Sequence, residues 1–190
     1  MRIIAGELRG RKLLPPVSAL TRPVTDRVKQ SVFDILAPRI PDATVYDCFA
    51  GTGSMGLECL SRGAAGATFF ECERTAAARL RENINALKVQ SRSTIVNSDL
   101  FKWFAAPDVR GHAHLIFLDP PYRFLRDRPD DLRRLADRIA ARHLAPEGIV
   151  VFRHDAADVF ELHPLRPFDV REYGGMAVEF LSGSRGEGES

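Results

Sequence analysis

A glycine-rich loop between a predicted strand and a predicted helix constrains the fold of this 190-residue chain more than any other feature. The apolar run 45–49 predicts the strand, and residues 57–62 predict the helix. Between them, glycines 51, 53 and 56 have the spacing G-x-G-x-x-G. This spacing permits a tight turn and close approach of the backbone to a nucleotide-like ligand at a helix N-terminus. The segment therefore predicts an α/β fold that binds an adenosine-type cofactor.

Three acidic residues, in or just after the predicted strands, indicate which adenosine-type cofactor the chain binds. Glu71 follows the strand 67–70, where an acid can accept hydrogen bonds from both ribose hydroxyls. Asp47 would repel a pyrophosphate but can pair with the methionine ammonium of S-adenosylmethionine, and Asp99 can accept from an adenine amine. We therefore predict S-adenosylmethionine as the cofactor, with capping or turn roles for Asp47 and Asp99 as the alternative. The predicted cofactor-binding residues are Asp47, Phe49, Ala50, Gly51, Thr52, Gly53, Gly56, Glu71 and Asp99.

A second motif, Asp119-Pro120-Pro121-Tyr122, directly follows the apolar run 115–118. If that run is a buried parallel strand, the motif lies at its carboxyl end, where open α/β sheets bind ligands. Asp119 and the carbonyl of Pro120 can accept the two N–H bonds of a nucleobase amine, because prolines supply no competing donor. Tyr122 can stack on the base. The motif predicts methyl transfer to a base amine, and the alternative is an ordinary strand-ending turn.

Positive charge is concentrated in two segments, although the whole chain has a net charge of only +2. Residues 1–39 contain eight Arg or Lys against three acidic residues, and residues 123–142 contain seven Arg against four Asp. Such clusters predict phosphate contacts with nucleic acid, whereas a solvated helix face with mixed ion pairs is the alternative for the second segment. The predicted RNA-binding residues are Arg2, Arg9, Arg11, Lys12, Arg22, Arg27 and Lys29.

These motifs together make the chain resemble the RsmD-type 16S ribosomal RNA guanine-N2 methyltransferases, which are class I S-adenosylmethionine-dependent enzymes. The resemblance implies methyl transfer to N2 of one guanine in a hairpin loop of 16S rRNA, within the small ribosomal subunit or its assembly intermediate. Similar Pro-Pro-aromatic motifs serve adenine-N6 and cytosine-N4 methyltransferases, so the identity of the base depends on the whole-chain likeness. The likeness is carried by residues 1–13, 21–36, 47–58 and 61–64, Asn83, and residues 119–122.

Two alternatives of other classes remain open at this point. One is a nicotinamide-dependent oxidoreductase that uses the same glycine loop and Glu71. The other is a nucleotide-cofactor or RNA-binding protein that has kept the fold without the chemistry. Neither gives a role to the Pro-Pro-Tyr loop and to the basic N-terminal segment together.

The expected fold is a single Rossmann-like methyltransferase domain, residues 1–182, followed by a disordered tail, 183–190. Its mostly parallel sheet has seven strands with an antiparallel last strand and helices on both faces, and residues 2–14 form an N-terminal β-hairpin. No apolar stretch is long enough for a signal sequence or a membrane span, and the cysteines at 48, 59 and 72 have no metal spacing. We expect a cytoplasmic monomer with buried free thiols and no metal.

Overall fold

A computed structural model describes residues 1–16, 25–108 and 111–183. Arg22 and the predicted tail beyond residue 183 lie outside the described residues. No helix within the described ranges is both long and apolar enough to cross a membrane. The elements, with two short 3-10 turns at 37–39 and 90–92, are α1 (Asp26–Leu36), β1 (Thr44–Cys48), α2 (Ser54–Ser61), β2 (Gly66–Phe70), α3 (Arg74–Leu87), β3 (Ser93–Val96), α4 (Leu100–Ala105), β4 (Ala113–Leu118), α5 (Phe124–Asp127), α6 (Pro129–Arg142), β5 (Leu144–Asp155), β6 (Arg166–Tyr173) and β7 (Met176–Ser182).

The chain divides into two compact units, residues 1–100 and the residues from 101 onward. In the first unit, β1 pairs with β2 and β2 pairs with β3, all parallel. Cys48 lies opposite Phe70, and Phe70 lies opposite Val96, so the three strands end side by side. The residues that follow these strands therefore lie along one edge of the sheet, which is where the sequence placed the cofactor site.

In the second unit, β4 pairs with β5 in parallel, and β7 pairs with β5 and β6 in antiparallel orientation. The strand order is β3-β2-β1-β4-β5-β7-β6, which is a mixed seven-stranded sheet. The predicted mostly parallel sheet with an antiparallel last strand is confirmed. The sequence analysis did not predict the short helices α4 and α5, and β5 is much longer than the four apolar residues that indicated it.

The N-terminal β-hairpin predicted for residues 2–14 is not formed as a two-stranded ladder. Residues 1–16 contain a single antiparallel bridge, between Arg2 and Lys12. Backbone amides near this bridge join the two halves of the segment: Ile3 donates to Arg11, Gly10 to Ile3 and Leu13 to Met1. Other amides donate to side chains of α2: Ile4 and Ala5 donate to Glu58, and Leu8 donates to Ser61. The segment is therefore held both by its own backbone bonds and by its contacts with α2.

Glu58 is the buried centre of these contacts. Its side chain is fully buried, and its Oε2 lies 2.9 Å from Nζ of Lys29 on α1. Its Oε1 accepts from Nε of Arg62 at 2.8 Å, and the amides of Ile4 and Ala5 donate at 2.8 and 3.0 Å. Although burial raises the pKa of Glu58, these donors together hold it below its usual value. A buried carboxylate thus joins the N-terminal segment, α1 and α2.

The structure contradicts the prediction that Lys29 contacts RNA. Its side chain is only 2% exposed and donates to the carbonyl of Arg2 and the hydroxyl of Ser54 in addition to Glu58. Burial lowers the pKa of Lys29, and the charge of Glu58 counteracts that effect. Because a buried cation is tolerated only when it is paired, Lys29 is a structural residue of the first unit.

Replacing Lys29 with Met should lower the free energy of unfolding by about 3 kcal/mol, because Glu58 would lose a buried charge partner while the apolar stem is kept. The matched control is Arg27→Met, on the same helix but exposed, which should change stability by no more than about 0.5 kcal/mol. Urea unfolding of the three proteins measures both effects. Equal stabilities for the two variants would refute the structural role of Lys29.

Candidate functional site

The glycine loop joins β1 to α2 through three residues in the left-handed backbone region. Phe49 has φ +63°, Gly51 has φ +54° and Gly53 has φ +80°. A Cβ at Gly53 would lie 2.4 Å from Cδ1 of Leu80, so both the backbone angle and the packing require glycine at this position. The amide of Gly53 donates to the carbonyl of Ala50, whose own amide donates to the carbonyl of Phe70 at the end of β2. The loop is therefore a tight turn anchored to the neighbouring strand.

Gly56 brings α2 close to the sheet. A Cβ there would lie 2.4 Å from Cε1 of Phe69 and 3.2 Å from Oδ2 of Asp47. Its amide donates to that same Oδ2 at 2.9 Å, and Asp47 is 3% exposed. Asp47 thus caps the first turn of α2, which is the alternative that the sequence left open. Its pairing with a ligand ammonium stays a prediction.

Glu71, directly after β2, fastens the loop from the other side. Its Oε2 accepts from the amide of Gly51 at 2.9 Å, and its Oε1 accepts from the amide of Glu73 at 2.8 Å. The carbonyl of Glu71 accepts from Nδ2 of Asn97, the residue after β3. Each carboxylate oxygen has two lone pairs, so each retains one after these bonds are made. Glu71 is thus a fixed acceptor beside the glycine loop.

Asn83, a motif residue of the family resemblance, connects the glycine loop to the N-terminal segment. Its Nδ2 donates to the carbonyl of Thr52 at 3.0 Å, and its Oδ1 accepts from the amide of Leu14 at 2.8 Å. The Asn83 side chain is 2% exposed. A single buried amide therefore holds the predicted cofactor loop and the predicted RNA-binding segment in register, both within the first unit.

Asp99 lies directly before α4 and close to Cys72. Partial burial raises the pKa of the Cys72 thiol, and the charges of Glu71 and Asp99 raise it further. Cys72 is exposed, whereas Cys48 and Cys59 are buried, so the expectation of three buried thiols is wrong for Cys72. The charges of the predicted ribose and adenine acceptors, Glu71 and Asp99, thus both act on this thiol.

In the second unit, Asp119 forms an ion pair that sequence reasoning missed. Nε of Arg153, on β5, donates to Oδ1 of Asp119 at 2.6 Å, and its Nη2 contacts Oδ2. Leu118 and Phe152, the preceding residues, are paired in the β4–β5 register. The signal was present in the sequence, because Arg153 directly follows the apolar run predicted as the fifth strand, as Asp119 follows the fourth.

The rest of the motif turns into α5. Pro120 is buried, Pro121 is exposed and Tyr122 is half-buried. The carbonyl of Pro121 accepts from the amide of Phe124 at 2.8 Å, and that of Tyr122 accepts from the amide of Leu125 at 3.2 Å. The carbonyl of Pro120, the second acceptor that the sequence predicts, lies outside this turn and directly after Asp119.

The predicted RNA-binding residues fall into distinct environments. Arg9, Lys12 and Arg27 have exposed side chains. Arg2 forms an exposed ion pair with Asp26 at 2.8 Å, and Arg11 donates to the carbonyl of Ala86 at 2.5 Å. Lys29 is buried, as described above, and Arg22 is not among the described residues. The exposed members lie on the N-terminal segment and at the start of α1.

Along α6, arginines of the second basic segment form ion pairs with acids of the same segment. Asp131 pairs with Arg128 and Arg134, and Asp130 pairs with Arg133. All of these pairs are at least partly exposed. The interpretation of this helix as a solvated face with mixed charges therefore describes α6. Among the residues that the structure covers, no group of three or more His, Cys, Asp or Glu could hold a metal ion.

The structure places the predicted cofactor-binding residues in the first unit and Asp119, Pro120, Pro121 and Tyr122 in the second. Within the first unit, Asp47, the glycine loop and Glu71 are joined by hydrogen bonds. Within the second unit, the catalytic motif is joined to Arg153. The fold thus joins Glu71 to Gly51, Asp47 to Gly56 and Asp119 to Arg153.

Comparisons with known proteins find relatives that are named as RNA methyltransferases. It is 47% identical over 124 residues to ribosomal RNA small subunit methyltransferase D of Escherichia coli, an alignment that covers 65% of this chain. The chain spans 61% of the length of that relative. The solved structure of yhhF from Escherichia coli is 33% identical, with a TM-score of 0.80 and coverage of 95% of this chain and 96% of that one.

An RNA methyltransferase from Salinibacter ruber, solved in complex with S-adenosyl-L-homocysteine, shares the fold at 16% identity. Its TM-score is 0.66, with coverage of 89% of this chain and 98% of that chain. The profile of the family described as conserved hypothetical protein 95 matches residues 1–182. The RsmD-type resemblance drawn from the motifs is confirmed, and the chain belongs to the conserved hypothetical protein 95 family.

Proposed function

We propose that this protein transfers a methyl group from S-adenosylmethionine to the exocyclic N2 amine of one guanine in 16S rRNA of the small ribosomal subunit. The observation that carries the proposal is the Asp119–Tyr122 loop, which offers a carboxylate, a proline carbonyl and an aromatic ring in succession after β4. The Escherichia coli relative is named as a methyltransferase of small-subunit ribosomal RNA, which supports methyl transfer and this class of substrate.

The glycine loop and Glu71 suit the adenosine part of the cofactor. A Cβ added at Gly51 would meet nothing within 4 Å, so the loop leaves open space at this position for close approach of a ligand. Glu71 is already held by two backbone amides, and its remaining lone pairs can accept from ribose hydroxyls without rearrangement. Asp99 is the proposed acceptor for the adenine amine. When bound, the cofactor supplies a methyl group that its sulfonium has already activated.

The Asp119–Tyr122 loop orients the nucleophile. The lone pair of a guanine amine is delocalised into the ring, so the amine must be held with both N–H bonds engaged before N2 can attack the methyl carbon. Asp119 accepts one N–H bond, and the carbonyl of Pro120 accepts the other. Tyr122 stacks on the base, which must first leave its neighbours in the RNA. Positioning is the main contribution of these residues: Asp119 accepts a hydrogen bond while the new N2–methyl bond would form, and the proton that N2 would then lose passes to water.

The exposed basic residues of the N-terminal segment supply phosphate contacts. Arg9 and Lys12 are exposed on the segment that Glu58 and Asn83 fasten to the first unit. A cation on a fixed segment loses less conformational freedom on binding than one on a loose chain. We expect these residues to contribute affinity and salt dependence, while the choice of base resides in the Asp119–Tyr122 loop and in the shape of the RNA hairpin.

The ribose role is tested with Glu71→Gln. Loss of the charge and of one acceptor oxygen should raise the dissociation constant of S-adenosylhomocysteine by about 10- to 100-fold. The matched control is Glu73→Gln, which alters the exposed N-cap of α3 two residues away and should leave that constant unchanged. Isothermal titration calorimetry gives both values. An unchanged constant in a folded Glu71→Gln protein would remove Glu71 from the ribose role.

The chemical role of the catalytic loop is tested with Asp119→Asn. This variant should bind S-adenosylhomocysteine almost normally but lose at least about 100-fold in the single-turnover rate of methylation of small subunits that lack the modification. The control is Asp127→Asn, at an exposed position of α5, and it should retain the wild-type rate. Tyr122→Phe should be mild and Tyr122→Ala severe. Equal damage in the two Tyr122 variants would assign the role to the hydroxyl instead of the ring face.

RNA binding is tested by reversing two exposed charges together, in Arg9→Glu with Lys12→Glu. The RNA dissociation constant should rise sharply, and its log–log dependence on salt should flatten by roughly one unit per lost phosphate contact. Cofactor affinity should not change. The control reverses Arg74 and Arg81, two exposed arginines of α3 in the same unit. If both double variants behave alike, the N-terminal segment has no specific part in RNA binding.

A further inference from the structure

Arg153 contacts the proposed amine acceptor through a two-point guanidinium–carboxylate pair. Its Nε donates to Oδ1 of Asp119 at 2.6 Å, and its Nη2 contacts Oδ2. Two parallel bonds between a planar guanidinium and a carboxylate fix both the position and the plane of the carboxylate, which a single bond does not. Asp119 therefore has a defined orientation at the end of β4.

Arg153 lies on β5 at a position that is paired with a neighbouring strand. β5 continues beyond the end of β4 to Asp155, and along this extension Arg153 is paired with Val178 of β7. The guanidinium has a further neighbour on β7, because its Nη1 lies 3.5 Å from Sδ of Met176. A side chain on a hydrogen-bonded strand is held in position more precisely than a side chain on a loop. Arg153, on a paired strand, therefore fixes the position of Asp119, which lies in a loop.

Arg153 and Asp119 each depend on the other for charge compensation, because both side chains are largely buried. The Arg153 side chain is 14% exposed and that of Asp119 is 26% exposed. Burial lowers the pKa of Arg153, but the charge and the hydrogen bonds of Asp119 outweigh that effect and leave the pKa above its ordinary value. Removal of either partner would leave the other charge partly desolvated, which is more costly than the loss of an exposed pair.

We propose that Arg153 is a positioning residue for methyl transfer: it holds the Asp119 carboxylate in the plane in which that carboxylate accepts the N–H bond of the target amine. The inference rests on the proposed function. A carboxylate offers about four lone-pair positions, and the guanidinium uses one on each oxygen. Each oxygen therefore keeps one lone pair, so the carboxylate can accept from the substrate while the pair stays intact.

The proposal is tested by a kinetic double-mutant cycle on Arg153→Gln and Asp119→Asn, with single-turnover methylation of small subunits as the readout. Arg153→Gln alone should lower the rate constant by about 10- to 100-fold, the scale of a displaced reacting group, and leave the dissociation constant of S-adenosylhomocysteine unchanged. In the Asp119→Asn background the same substitution should change the rate constant less than about threefold, because Arg153 acts through Asp119.

Two further variants separate positioning from stability. Arg153→Lys keeps the charge but cannot form the planar two-point pair, so it should fold and have an intermediate rate even if Arg153→Gln folds poorly. Arg171→Gln removes an exposed Arg–Asp pair on β6 and should retain the wild-type rate.

The outcomes are distinguishable. A wild-type rate in Arg153→Gln and Arg153→Lys overturns the positioning role while the proposed function stands. Equal losses in the wild-type and Asp119→Asn backgrounds also overturn it, because Arg153 would then act on the substrate independently of Asp119. A wild-type protein that transfers no methyl group overturns the proposed function, and this inference with it.

Discussion

The carboxylate of Glu71 accepts hydrogen bonds from the amides of Gly51 and Glu73, and the glycine loop depends on this interaction for its place beside β2. Asp47 does the same for α2 through the amide of Gly56. In both cases an acid at the end of a parallel strand satisfies backbone donors that a tight turn and a helix N-terminus leave without partners. The loop is therefore organised by the protein itself, which lowers the cost of ordering it around a ligand.

In the second unit a carboxylate is also held in place, but by a side chain instead of by backbone amides. Asp119 follows β4 in a loop whose prolines provide no backbone donors, so its carboxylate is held by the side chain of Arg153 from the adjacent strand. A cation on a paired strand can fix the carboxylate without occupying all of its lone pairs. Each unit thus contains a carboxylate whose orientation is fixed by other groups of the protein.

Local sequence patterns were sufficient for most of the elements, although not for the short helices α4 and α5, because strands, longer helices and the glycine loop depend on periodicity and on backbone freedom at Gly51 and Gly53. They were insufficient where partners are distant in sequence. Nothing around Lys29 distinguishes a buried cation from an exposed one, since its partner Glu58 lies on another helix. The two-stranded hairpin expected at residues 2–14 is reduced to one bridge, and the contacts that fasten this segment to α2 could not be read locally, because Ile4 donates to Glu58 across 54 positions.

The central claim is that the two sets of oriented acceptors serve methyl transfer to guanine N2. Mass spectrometric mapping of 16S rRNA, after small subunits that lack the modification have reacted with the protein and S-adenosylmethionine, tests it most directly. The account predicts N2-methylguanosine at a single position within a hairpin loop. N6-methyladenosine, N4-methylcytidine or an unmodified RNA would contradict it.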